Sequence, residues 1–107
     1  MKRFAFKMFL KPGCREEYVR RHNEIWPELA ALIRKGGVTD YSIFLDEETG
    51  TLFAVQKQEG EQSSQDMGTH PVVARWWAYM ADLMETNHDN SPVTVPLEEV
   101  FYLPCPS

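Results

Sequence analysis

Tyr18 and His22 form the first pair in the chain with side chains suited to proton transfer. Residues four apart are neighbours on one helical face. Cys14 and Ile25 continue that face at spacings of four and three, which marks it as the face turned inward. An imidazole and a phenol on an apolar inward stripe are costly unless each finds a partner. The plain reading is a core histidine satisfied by hydrogen bonds, with Tyr18 as ordinary core. The chemical reading is general acid–base work, because imidazole gives and takes a proton near neutral pH. A second pair, Trp76-Trp77, lies on a stripe with Val73, Met80, Leu83 and Met84. Core packing accounts for both indoles. Adjacent residues are nevertheless about 100° apart around a helix, which lets one ring leave the core direction. Indoles also suit sugars, since the ring packs on C–H groups while the N–H donates to a hydroxyl. Tyr41 opens a strand-like segment, where aromatic residues are favoured anyway. Asn87 to Ser91 is dense in short hydrogen-bonding side chains, which turn chemistry explains.

Other chemistries find no footing. His70 and His88 stand in no HxxxH or HxH pattern, and no His/Cys/carboxylate set has metal-ligand spacing. We expect neither a metal nor a cofactor. There is no glycine-rich phosphate loop and no nucleophile elbow. Cys14 and Cys105 lie near opposite ends without a CxxC, as free thiols in a reducing compartment would. The net charge of −5 disfavours a nucleic-acid partner, and Glu16 and Glu17 interrupt the nearest basic cluster, Arg15, Arg20 and Arg21. No apolar run is long enough to span a membrane, and the N-terminal stretch lacks a signal-peptide pattern. The expectation is a cytoplasmic protein.

The elements that must position these residues follow from periodicity. Phe4, Phe6, Met8 and Leu10 alternate with Ala5, Lys7 and Phe9, which predicts a strand ended by Pro12-Gly13. The Cys14–Ile25 stripe predicts a helix. Pro27 breaks it near Trp26 and starts a second segment, in which Leu29, Leu32 and Ile33 point inward and Gly36-Gly37 end the run. Val38 to Leu45 and Thr51 to Lys57 read as a hairpin around Asp46–Gly50. Gln58 to Gly68 reads as a loop or short helical lead-in. Thr69 is placed to cap the next helix, with Pro71 in its first turn, and Val73 to Met84 as its stripe. Glu98 to Tyr102 reads as the last strand. The order β-α-β-β-α-β is that of an α+β, ferredoxin-like unit with two helices on one face of an antiparallel sheet. Residues 1–107 make a single domain of this kind. The opposite sheet face carries apolar side chains and needs cover, most simply from a second copy.

The same residues carry a family resemblance. Glu17-Tyr18, Arg20-Arg21-His22-Asn23 and Ile25-Trp26-Pro27-Glu28-Leu29 resemble the first-helix signature of L-rhamnose mutarotases. Arg75-Trp76-Trp77 with Tyr79-Met80 resembles their later helix. Asp89-Asn90-Ser91-Pro92-Val93 and Glu99-Val100-Phe101-Tyr102-Leu103-Pro104 resemble their closing loop and strand, and Tyr41 with Leu45-Asp46 fits the middle. The likeness spans nearly the whole chain. Departures fall at His88, where proline is expected, at Phe44, where tyrosine is frequent, and along the lead-in from Gln58 to His70, which shows little likeness.

The resemblance implies a dimeric α+β barrel, hence a homodimer, that interconverts the α and β anomers of L-rhamnose without metal or cofactor. It also implies that His22 is the proton donor and that Tyr18, Tyr41, Trp76 and Trp77 contact the sugar. Asp89 or water then stands as the second proton acceptor, and an aromatic wall including Trp76, Trp77 and Phe9 suits the C5 methyl. Fold alone leaves rivals. These are a non-catalytic sugar-binding module, a cofactor-free monooxygenase on the same barrel, and a structural dimerisation domain.

Overall fold

The first strand, β1 (Lys2–Phe9), obeys its alternation: Phe6 and Met8 are buried, while Arg3, Ala5, Lys7 and Phe9 face the other way. A computed structural model describes residues 2–106 of the chain. After β1 the backbone turns at Gly13, whose φ of 79° suits glycine, and enters α1 (Arg15–Asn23). Glu16 and Glu17 occupy the first turn of α1 and Arg20, Arg21 and His22 its last, each matching the sign of the helix dipole there. Trp26 is extended, and Pro27 opens α2 (Pro27–Lys35), as the sequence predicts. A hairpin of β2 (Val38–Asp46) and β3 (Thr51–Gln58) follows. A short 3-10 turn at Ser64–Asp66, closed by a Ser63/Asp66 capping box, leads to α3 (Pro71–Met80). Strand β4 (Val95–Leu97) ends the regular structure.

The sheet has the order β2-β3-β1-β4 and is antiparallel throughout. Phe6 pairs with Ala54 and Met8 with Leu52, and all four are buried, forming the floor on which the helices lie. From above, Tyr18 on α1, Leu29 on α2 and Val72, Val73, Trp76 and Met80 on α3 complete the core. With α1 and α2 as one broken segment, the element order is βαββαβ, the ferredoxin-like α+β fold expected. The opposite sheet face stays open. Phe44 and Phe53 sit directly across from each other there and are 62% and 37% exposed.

Three local expectations are corrected. The last strand is not Glu98–Tyr102 but the shorter Val95–Leu97, an edge strand that tolerates Pro96. Beyond it the chain leaves the ladder, and side chains tie it down instead. Arg3 pairs with Glu99 at 2.9 Å, and its guanidinium lies 3.4 Å from the centroid of the Tyr102 ring. Val100, Phe101 and Leu103 are exposed. The cap of α3 is His70 rather than Thr69: its Nδ1 accepts from the Val72 N–H at 3.3 Å. Finally, α3 ends at Met80. Leu83 and Met84 remain buried through a turn and a bridge to Leu10, not through helical periodicity.

Candidate functional site

The last turns of α1 project Tyr18 and His22 toward α3. Their rings lie 4.2 Å apart between centroids, and the His22 ring meets Trp76 edge-on at 5.5 Å. Trp76 in turn packs edge-on against Trp26 at 5.1 Å, and Trp26 stacks on Tyr79 at 5.6 Å. The imidazole is thus held from both sides by aromatic rings. Trp26 and Tyr79 form the backing of this cluster. The proline break had marked Trp26 as a helix boundary, with nothing in the local pattern to show this packing.

Arg21 fixes α1 against α3. Its guanidinium donates to the Tyr79 carbonyl at 2.6 Å, to Asp82 at 2.9 Å and to Glu17 at 2.8 Å. It also lies 4.4 Å from the Tyr79 ring centroid.

His22 has a defined tautomer. Nδ1 lies 3.0 Å from the Tyr18 carbonyl oxygen, which can only accept, so Nδ1 carries a proton in both charge states. Nε2 is then the nitrogen that titrates, and His22 lines the cavity beneath the helices. Burial holds the imidazole below its usual pKa, outweighing the stabilising carbonyl bond. The resting side chain is therefore neutral at pH 7, with a lone pair on Nε2. Burial pushes the Tyr18 phenol well above the ordinary tyrosine range, and Tyr41 adds to the shift. Tyr18 is accordingly a neutral hydrogen-bonding group.

The cavity has a volume of about 820 Å³. That lies within the usual range for small-molecule sites. All five residues singled out in the sequence, Tyr18, His22, Tyr41, Trp76 and Trp77, line it. Trp76 belongs mostly to the core, and Trp77 is half-buried, so the adjacent indoles divide as their angular separation suggests. The Trp77 ring lies against Gly68: a Cβ there would stand 2.4 Å from the nearest ring carbon. Tyr41 comes from β2. Burial raises its phenol pKa, while hydrogen bonding to the Ser64 and Gln65 side chains acts the other way.

Ser64, Gln65 and Asn90 also line the cavity, supplying polar groups from two loops. Their side chains reach it only through tertiary folding, and the turn-like composition of Asn87–Ser91 was the one signal available. Asp89 lies elsewhere: it accepts from the Ser91 N–H at 3.0 Å and borders a smaller neighbouring cavity that shares Trp77. Those Ser91 bonds keep its carboxyl below the usual range. Asp89 is therefore not on the His22 cavity. Among the described residues Asp40 is the one carboxylate on that lining, and it pairs outward with Lys57 at 3.3 Å. Phe9 is on the open sheet face and forms no part of the aromatic wall. Among the described residues no helix is long and apolar enough to cross a membrane.

A family model described as L-rhamnose mutarotase matches residues 3–103. A curated L-rhamnose mutarotase of Phocaeicola vulgatus is 63% identical, over 96% of this chain and 99% of its own length. That of Bacteroides thetaiotaomicron is 62% identical over the same shares. The crystal structure of an L-rhamnose mutarotase from Formosa agariphila superposes with a TM-score of 0.91 at 50% identity, covering 97% of this chain and all of that one. An antibiotic biosynthesis monooxygenase superposes at 0.58 with 14% identity, over 94% of this chain and 99% of its own, which shows a shared fold and no more.

Proposed function

The chain belongs to the L-rhamnose mutarotase family, an isomerase family of anomerases, and on that premise we propose that it interconverts the α and β anomers of L-rhamnopyranose with His22 as the proton-transfer group. The observation that carries the role of His22 is its fixed tautomer: Nδ1 is committed to the Tyr18 carbonyl, leaving Nε2 as the titrating nitrogen of a side chain that lines the cavity.

Mutarotation breaks the C1–O5 bond of the pyranose, turns the C1 aldehyde and closes the ring on its other face. Opening takes a proton from the O1 hydroxyl and places one on O5. Both oxygens are bonded to C1, so one nitrogen can serve both. Neutral Nε2 accepts the O1 proton as the C1–O5 electron pair moves to O5, and the imidazolium then donates that proton to O5. After rotation the steps reverse. No net proton or electron is transferred, and the imidazole ends as it began. A depressed pKa suits the first step, because the free base is the resting form. The proton donor implied for His22 is the imidazolium formed midway, and no second acid or base is required.

Tyr18 and Tyr41 offer hydroxyls to the sugar, and Trp76 and Trp77 offer ring faces and N–H groups. Their apolar surface also suits the C5 methyl of a deoxy sugar. We take residues 1–107 to work as one domain, in the cytoplasm, as a homodimer joined through the open sheet face. The exposed Phe44, Phe53, Val95 and Leu97 support that assembly.

The test is magnetisation-exchange NMR of the anomeric protons of L-rhamnose with catalytic amounts of protein. Exchange accelerated by the wild type, and not by folded His22→Ala, is the expected result. Unchanged exchange in that variant would remove His22 from the chemistry. No acceleration by the wild type would overturn the activity itself.

A further inference from the structure

The register of β2 against β3 is broken at one place. Thr39 pairs with Lys57 and Ser42 with Val55, so Asp40 and Tyr41 together oppose the single residue Gln56. This is a β-bulge. Its effect on side-chain direction is large, because one extra residue moves everything after it to the other face. Val38 is buried under the helices. Strict alternation from Val38 would send Asp40, Ser42 and Phe44 inward. Instead Tyr41, Ile43 and Leu45 pack on the core, while Phe44 is exposed on the open face. Without the extra residue, Tyr41 would lie on the outer face of the sheet.

Asp40 makes the bulge feasible. Its φ is 48°, in the left-handed region that asparagine, aspartate and glycine tolerate and β-branched residues do not. Its carboxylate contributes little, since the pair with Lys57 is solvent-exposed. Across the bulge, Gln56 is wholly buried. Its Nε2 donates to Ser64 Oγ at 2.8 Å, and its Oε1 accepts from the Ser64 N–H at 2.9 Å. Gln56 thus fastens the Ser64–Gln65 segment to the sheet beside Tyr41, on the cavity lining.

We infer that Asp40 is a positioning residue for substrate binding, whose left-handed backbone turns Tyr41 from the open sheet face into the sugar cavity. The inference rests on the reading of Tyr41 as a sugar contact. It concerns backbone conformation rather than charge, so Asp40→Asn and Asp40→Gly should both keep Tyr41 in place. Asp40→Val should not, and Asp40→Ala should fall between them.

Two readouts separate the inference from the reading beneath it. The first needs no substrate: titration of the Tyr41 phenol by NMR of ¹³Cζ-labelled tyrosine, with the signal assigned by Tyr41→Phe. Burial raises this phenol above the usual value in the wild type. It should fall back toward the ordinary range in Asp40→Val and stay raised in Asp40→Gly. A raised titration retained in a folded Asp40→Val protein overturns the inference whatever the kinetics do. If Asp40→Val does not fold, Asp40→Ala against Asp40→Gly decides by the same criterion. The second readout is the anomer-exchange assay. Asp40→Val should raise KM about as much as Tyr41→Ala, change kcat less, and add nothing to Tyr41→Ala in the double variant. An additive double variant would overturn the inference. If Tyr41→Ala leaves KM unaltered while the phenol still shifts in Asp40→Val, the sugar-contact reading falls and the positioning of Tyr41 stands.

Discussion

The Nδ1 of His22 sits 3.0 Å from the carbonyl oxygen of Tyr18, one helical turn back, and this single contact decides which imidazole nitrogen can do chemistry. Because the carbonyl only accepts, the ring cannot adopt the other neutral tautomer without losing the bond. His22→Gln should therefore fold and lose the acceleration of anomer exchange by roughly a hundredfold to ten-thousandfold, the usual worth of general acid–base catalysis. Exchange NMR on a variant with unchanged circular dichroism checks it. A loss below about threefold would mean that another group moves the proton.

The pH dependence has a definite sign. Burial lowers the His22 pKa below its ordinary 6.5. The free base, the form the proposed mechanism uses, then persists at neutral pH and somewhat below. Enzymatic exchange, corrected for the water background, should be flat above pH 6.5 and fall on the acid side. Stability follows the same direction. As pH drops below 6.5 the unfolded chain takes up a proton before folded His22 does. The His22 contribution is therefore fully present above 6.5 and is lost progressively down through the lowered folded value. Urea midpoints measured against pH should show this slope in the wild type and a reduced one in His22→Gln.

Much of this site was legible in the sequence. The spacing of four between Tyr18 and His22 survives folding because a helix converts sequence spacing directly into adjacency. Pro27 likewise forces the break before α2 wherever the helix packs. Tyr41 is different: simple alternation cannot reveal which way it points, because a bulge hinges on one left-handed φ at Asp40. The alternation in Glu98–Tyr102 misleads in the opposite sense. Its residues have strand character, but only Val95–Leu97 finds a ladder partner, along β1. Ser64 and Gln65 enter the cavity through the clamp of buried Gln56, a tertiary contact with no local signature.

The adjacent indoles should separate in their effects. Trp76 is in the core and 8% exposed, so Trp76→Ala should cost about 3–5 kcal/mol of folding stability. Trp77→Ala should cost less stability and act mainly on KM. Gly68 offers a finer probe, since its added Cβ would fall 2.4 and 2.7 Å from two carbons of the Trp77 ring. The ring must shift to admit it. Gly68→Ala is expected to raise KM severalfold with kcat nearly intact. The indole N–H signal of Trp77 in NMR spectra, assigned by its loss in Trp77→Phe, should shift alongside. An unaltered KM would show that the placement of this ring does not govern binding.

The open sheet face gives the last prediction. Phe44 and Phe53 face each other across β2 and β3 and remain 62% and 37% exposed. Val95 and Leu97 on β4 extend the apolar surface to the other edge of the sheet. If two copies join through this face, a charge at its centre is desolvated in the dimer and solvated in the monomer, so it shifts the equilibrium toward monomer. Phe53→Lys should lower the sedimentation mass from dimer toward monomer at micromolar concentration, with the helix-side core intact. Lys7→Met, on the same face, should not weaken the dimer, because it removes a charge from the surface instead of adding one. Sedimentation velocity distinguishes the cases. A wild type that sediments as a monomer, or a Phe53→Lys protein that remains fully dimeric, would place the interface elsewhere or dispense with it. The cavity lies on the helix side of the sheet, so a folded Phe53→Lys monomer should retain anomer exchange.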